Sequence, residues 1–269
     1  MRYLSIVLLA FFSFEMNAQE LFVVTEPASN VPAGSIGVRV GQSLMKKEIG
    51  SGSVYGLSPE VTWGINKNLM VRGSVFSTNA TNVLKAEGAG VYAKYRFFSV
   101  DDLQSHFRMA AFGRYSWNNS AIRQEAIDMT AGNSGYEVGL VATQLIKKVA
   151  ISSSVSYGKA TDNKPDYQFP EFLGSNALNY TFSVGRLMHP KKYTSFKQTN
   201  INTMLEFVGQ TLTDSGKSYL DVVPSVQFII NSQARIDVAY KKELYSSMLR
   251  SAPDGFYLKL EYTFFNVTK

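Results

Sequence analysis

Along this chain apolar residues return at every second position, segment after segment. Tyr55, Leu57, Pro59, Val61, Trp63 and Ile65 alternate with Gly56, Ser58, Glu60, Thr62 and Gly64. Successive side chains of a β-strand point to opposite sides of a sheet, so this is a strand with one apolar and one polar face. The alternation resumes after Asn66-Lys67-Asn68 with Leu69, Val71 and Val75 against Arg72 and Ser74. Ala89, Val91, Ala93, Tyr95 and Phe97 then oppose Gly90, Tyr92, Lys94 and Arg96. Twelve such strands are expected, the first carrying Ile36, Val38, Val40 and Leu44 and the last Phe256, Leu258, Leu260, Tyr262 and Phe264. Each runs about ten residues or a little more, the length of a tilted strand that crosses hydrocarbon.

The opposite faces carry charge in mid-strand: Arg39, Glu60, Arg72, Lys94, Arg96, Arg108, Arg114, Glu137, Glu206, Asp221, Arg235, Asp237, Lys241, Glu243, Lys259 and Glu261. Such charges are costly in a dry sandwich core and natural in a hydrated lumen. The apolar faces are continuous, and no helical periodicity is present to cover them. The fold expected is therefore all-β, a transmembrane antiparallel up-and-down barrel. The sixteen charged positions are the candidate lumen-lining residues, nine basic and seven acidic. Two readings of them stay open: a mutually neutralising ladder that fills a small barrel, or a conducting pore with a weak anion preference.

Connector lengths orient the barrel. Tight turns are expected at Asn66-Lys67-Asn68, Ser99 to Gln104, Ile146-Lys147-Lys148 and Asn231-Ser232-Gln233, and longer polar loops at Asn118 to Asn133, Lys159 to Gly174 and Ser246 to Asp254. Outer-membrane barrels put short turns in the periplasm and long loops outside. Outward aromatics gather at both strand ends: Trp63, Tyr95, Phe97, Phe228, Tyr262 and Phe264 towards the turns, and Tyr55, Tyr115, Trp117, Tyr136, Tyr157 and Phe256 towards the loops. These form the two girdles of a membrane barrel. An even strand number leaves both ends in the periplasm.

Met1 to Ala18 has an early Arg2, an apolar stretch from Tyr3 to Phe14 and a polar end, the layout of a secretory signal peptide. Residues 19–34 are then expected as a periplasmic N-terminal segment, and 35–269 as the barrel. The sequence does not choose whether the 19–34 segment folds into the lumen or stays below it.

Composition removes several kinds of chemistry. There is no Cys, which excludes disulfides, thiol catalysis and Cys-bearing zinc sites. The two histidines, His106 and His189, both fall towards the turn end, whereas hydrolysis of outer-leaflet lipid needs them at the external rim. Met70 and Met204 face inward but make no metal site by themselves. No enzyme activity, cofactor or metal is expected. The net charge of +6 is spread between the lumen and connectors such as Lys46-Lys47, Lys147-Lys148 and Lys191-Lys192, with no stripe for nucleic acid.

The ending Gly255-Phe256-Tyr257-Leu258-Lys259-Leu260-Glu261-Tyr262-Thr263-Phe264-Phe265 resembles the terminal strand by which outer-membrane barrels are recognised for assembly, and Asn266 to Lys269 extend past it. That resemblance implies the barrel-assembly machinery as a partner, alongside outer-membrane lipid. The phrase Pro59 to Asn66, its counterpart Pro224 to Asn231, and Thr25 to Gly34 before the first strand are similar to the Bacteroidetes-type outer-membrane barrels grouped with the "MetA-pathway of phenol degradation" transporter-like family. This implies an outer-membrane location and passive transport of small solutes, with no substrate and no site residues. The alternatives are a non-conducting structural or surface-binding barrel that uses the loops Asn118 to Asn133 and Lys159 to Gly174, an outer-membrane lipid hydrolase, and a soluble exported barrel.

Overall fold

The computed structural model describes residues 22–268 apart from 49, 103, 165–166 and 192–196. The signal-peptide reading of 1–18 lies outside the described residues. Twelve strands follow one another: β1 (Ile36–Lys46), β2 (Ser53–Gly64), β3 (Leu69–Thr78), β4 (Lys85–Asp102), β5 (Ser105–Asn118), β6 (Ser134–Ile146), β7 (Val149–Thr161), β8 (Asn176–His189), β9 (Asn200–Leu212), β10 (Ser218–Ile230), β11 (Ala234–Ser246) and β12 (Asp254–Phe264). Each pairs antiparallel with its neighbours in sequence, and β1 pairs with β12 to close the barrel. Closure leaves no strand edge unpaired. No helix occurs among the described residues.

The seam sets the orientation. Ile36 lies opposite both Phe264 and Trp63, so the first and last strands begin and end at the turn side. Gly34 (φ +70°) reinforces that corner, where its carbonyl accepts the N–H groups of Val267 and Thr268. The turn Asn231-Ser232 takes two successive positive φ values, 53° and 58°, the geometry whose twist matches a tight hairpin.

Two connectors are shorter than expected. Ser99–Asp102 continue β4 by pairing with Ser105–Arg108, and Lys159–Thr161 continue β7 by pairing with Ser134–Tyr136. Polar residues there read as turn in the sequence, but the strands run on beyond the apolar band, where water suits a polar side chain. A bulge between Arg96 and Phe98 shifts the register, and Phe97 and Phe98 are both exposed.

The outer surface is the apolar one. Val61, Val91, Val138, Leu140, Val155, Leu205 and Leu260 are all exposed, as are the aromatics Trp63, Tyr95, Tyr262 and Phe264 towards the turns and Tyr115, Trp117, Tyr136 and Phe256 towards the loops. The inner surface is polar and buried. An apolar band this continuous is unfavourable in water and suits hydrocarbon.

Candidate functional site

The lumen is divided by two inserted segments. Residues 22–29, whose place inside the lumen or below it the sequence leaves open, cross the inside of the barrel, with Phe22, Val23, Thr25 and Ala28 buried. The Glu206 carboxylate on β9 accepts the N–H groups of Val23 (3.0 Å), Val24 (3.0 Å) and Thr25 (2.7 Å). Thr143 on β6 accepts the N–H of Ala28 at 2.8 Å. Lys94 donates to the carbonyls of Pro27 (2.7 Å) and Ser29 (2.8 Å), and Lys259 to that of Val23 at 2.7 Å. A buried segment with no sheet partner must satisfy its backbone some other way, and here charged and hydroxyl wall residues do it. Gly185 lies beside this cluster, where a Cβ would crowd the Met204 side chain at 3.0 Å and reach ordinary contact with the Phe22 ring at 3.4 Å.

From the other end the loop between β5 and β6 folds inward. Ala126, Ile127 and Met129 pack on Ala160, Ala177, Leu212 and Met248, where two small wall residues leave the space. Gln210 holds both backbone groups of Ile127 at 2.8 Å, Ser116 donates to the Met129 carbonyl, and Asn163 donates to the carbonyls of Ser120 and Gly132.

Neighbouring loops clamp this insertion. The Glu125 carboxylate accepts from Lys217 Nζ (2.6 Å) and from the N–H of Leu249 (2.8 Å), and Gln124 accepts from Ser251. The Lys217 hydrogen bond holds the Glu125 carboxyl below the usual range, against the opposing effect of burial. A depressed acid stabilises the folded arrangement above its unfolded pKa and stops doing so as pH falls through the lowered value. The clamp is therefore intact at neutral pH and loosens only below the ordinary Glu range. Limited proteolysis of the loop against pH checks this, with protection expected to persist to pH 5 and to decline only in stronger acid, while loss near neutrality would contradict it.

Between the inserts lies a cavity of about 700 Å³ that reaches from Gln233 and Thr263 at the turn end to Lys47 and Ser251 at the loop end. Its wall on β1 to β4 is built of small inward residues, Gly41, Ser43, Gly56, Ser58, Ser74 and Gly90. Eleven of the sixteen predicted residues line it: Arg39, Glu60, Arg72, Lys94, Arg114, Glu137, Asp221, Arg235, Lys241, Lys259 and Glu261. The other five are not brought to it. Glu206 is spent on the N-terminal segment, and Asp237 is covered beside Arg235. Arg108 holds Asp101 and Ser29, Arg96 donates to the Lys67 carbonyl at the turn rim, and Glu243 accepts from Arg250 near the loops.

Most of the cavity charges are paired. Arg39 on β1 contacts Glu60 on β2 (3.3 Å) and Glu261 on β12 (2.8 Å), its direct register partners on either side. Arg72 reaches Glu26 (2.5 Å) and Glu60 (3.6 Å), Arg114 reaches Glu137 (3.2 Å), and Arg235 reaches Glu261 (2.8 Å). The guanidinium groups of Arg72 and Arg114 both flank the Tyr92 ring, at 5.3 and 5.4 Å.

Six charged residues of the cavity escape strand reading: Glu26, Lys47, Glu87, Arg123, Asp128 and Arg250. Glu87 turns inward because a bulge between Phe76 and Ser77 shifts the register. The others come from the inserted segment and the loops, where no periodicity announces direction. The histidines are engaged elsewhere or remote: His106 contacts Asp101 at 2.9 Å, and His189 ends β8 at the turn side.

No protein-family model and no curated protein matches the chain. Among solved structures, the COG4313 outer membrane channel from Pseudomonas putida F1 is similar at 12% identity, over 90% of this chain and 99% of that one, with a TM-score of 0.57. NanC porin (10% identity, 86% of this chain, 98% of that one, TM-score 0.48) and KdgM porin (12%, 86%, 99%, 0.47) are more distant in shape. At these identities the likeness concerns the fold, a closed antiparallel barrel.

Proposed function

We propose that this protein is an outer-membrane channel through which small solutes diffuse passively. The reading is carried by one observation: a charged cavity extends through most of the lumen of a closed barrel whose outside is apolar. Twelve strands enclose a narrower lumen than the sixteen or more of the wide porins, so the solutes are small. The fold likeness to a named outer membrane channel agrees with it. Membership of the Bacteroidetes-type transporter-like family belongs to the same proposal, as does delivery by the assembly machinery through β12. No catalysis enters the proposed mechanism.

The cavity is lined by ten basic and seven acidic side chains, so a weak preference for anions is expected. In planar bilayers with a KCl gradient, the purified barrel is expected to give discrete current steps whose reversal potential favours chloride modestly. Arg114→Glu is expected to weaken that preference, because it cuts the basic excess from three to one. Well-folded protein that gives no steps, together with no solute flux into liposomes, would sink the channel reading and favour a structural or surface-binding barrel.

A further inference from the structure

The contacts that hold residues 22–29 are unusual in kind. Seven of them go to peptide groups: the N–H groups of Val23, Val24, Thr25 and Ala28, and the carbonyls of Val23, Pro27 and Ser29. Peptide groups are common to every polypeptide, so Glu206, Thr143, Lys94 and Lys259 together read a backbone path, curved round the Glu206 carboxylate at Val23 to Thr25, rather than a particular sequence. Side-chain selectivity is added at two places. Phe22 sits against Met204, Val223 and Gly185, and four residues on, the Glu26 carboxylate meets Arg72 at 2.5 Å and Lys94 at 3.7 Å.

We propose that the lumen holds a binding groove for a peptide segment with an apolar residue followed four positions later by an acidic one, its backbone curving round the Glu206 carboxylate. Residues 22–29 are its tethered occupant, and their withdrawal widens the path through the barrel. The same groove accepts a peptide of this pattern supplied in trans. Several features make the occupant exchangeable. It forms no ladder with any strand, so no barrel hydrogen bond has to break for it to leave. Its binding partners are single side chains in a polar lumen beside a large cavity, where water can replace each peptide group. The segment enters from the turn end, next to Pro32 and Gly34, so it withdraws in the direction from which it came.

The electrical test of this inference rests on the channel reading, and the binding test does not. Glu26→Lys alters the occupant and leaves the groove intact, setting a cation against Arg72 and Lys94. The full-length variant, shown to be folded by its heat-dependent gel mobility, is expected to bind a fluorescently labelled, acetylated peptide of residues 22–31 in detergent micelles. Wild-type protein, its groove filled, is expected to bind it at least about tenfold more weakly, as is the same peptide carrying Lys in place of the glutamate, because a charge-assisted contact is lost. In bilayers, Glu26→Lys is expected to conduct several-fold more than wild type, and the peptide added from the turn side to reverse the gain. No peptide binding to folded Glu26→Lys overturns the groove. Binding without any current from either protein overturns the channel and leaves the groove standing.

A second variant tests withdrawal with the ion pair undisturbed. Thr25 Oγ1 and Ser183 Oγ are 2.7 Å apart, and the chain has no cysteine of its own. The pair Thr25→Cys and Ser183→Cys, oxidised, ties the segment to β8. Low conductance when oxidised and a rise on reduction support withdrawal, and equal conductance in both states overturns it.

Discussion

Arg39→Glu is expected to prevent the barrel from closing. Arg39 stands at the seam, on the strand that joins the last to the first, and its guanidinium bridges Glu60 on one side and Glu261 on the other. The substitution sets three carboxylates side by side on adjacent strands at direct register positions, and like charges directly opposite repel. Breaking one buried ion pair costs about 3–5 kcal/mol, and repulsion adds to it. Against a folding stability of about 5–15 kcal/mol, that is enough to empty the folded band on a heat-dependent gel shift. Arg39→Met is the control. It removes the pairing without the repulsion, and Glu261 and Glu60 keep Arg235 and Arg72, so a folded but less stable barrel is expected. Equal folded fractions for wild type and Arg39→Glu would show that the seam does not depend on this bridge.

The second large effect is expected at the loop end. Arg250 donates two 2.6 Å hydrogen bonds to Asp221, a third to Glu243 at 3.0 Å, and stacks 3.8 Å over the Tyr219 ring. Asp221 is almost wholly buried, and its other cation, Lys241, is 3.9 Å away. Arg250→Ala therefore strands a buried carboxylate, at a cost of about 3–5 kcal/mol. It also frees the loop after β11, which holds the inserted loop through Leu249 and Ser251. Lower urea resistance together with faster proteolysis between β5 and β6 is expected. Arg250→Lys is expected to restore only part of the stability, because an ammonium cannot reproduce the paired contacts or the stacking. Unchanged proteolysis in Arg250→Ala would separate the two loops energetically.

The parts of this protein that were legible in its sequence are those governed by neighbours along the chain. Alternation of Tyr55 through Ile65, and of each later segment, told inside from outside, because the strand period of two is a local property. The alternation puts Arg39, Glu60 and Glu261 on the face opposite the apolar one, and their mutual contact follows from strand register. Glu206 was also set inward, but nothing near it in sequence says that its carboxylate caps three N–H groups of a segment more than 180 residues away. Glu87 was missed because a single bulge inverts the faces beyond it.

By itself, then, the sequence determined twelve strands, their faces, the turn-side end at which the first strand begins and the last one stops, and the absence of cysteine. Whether the lumen is filled, by what, and which of its charges remain exposed to a solute was decided only in the tertiary structure. The reason is physical: those contacts join loops and the N-terminal segment to the wall across the barrel, where partner choice depends on three-dimensional reach and on room left by residues such as Gly185, Ala160 and Ala177. No periodicity along the chain encodes that reach.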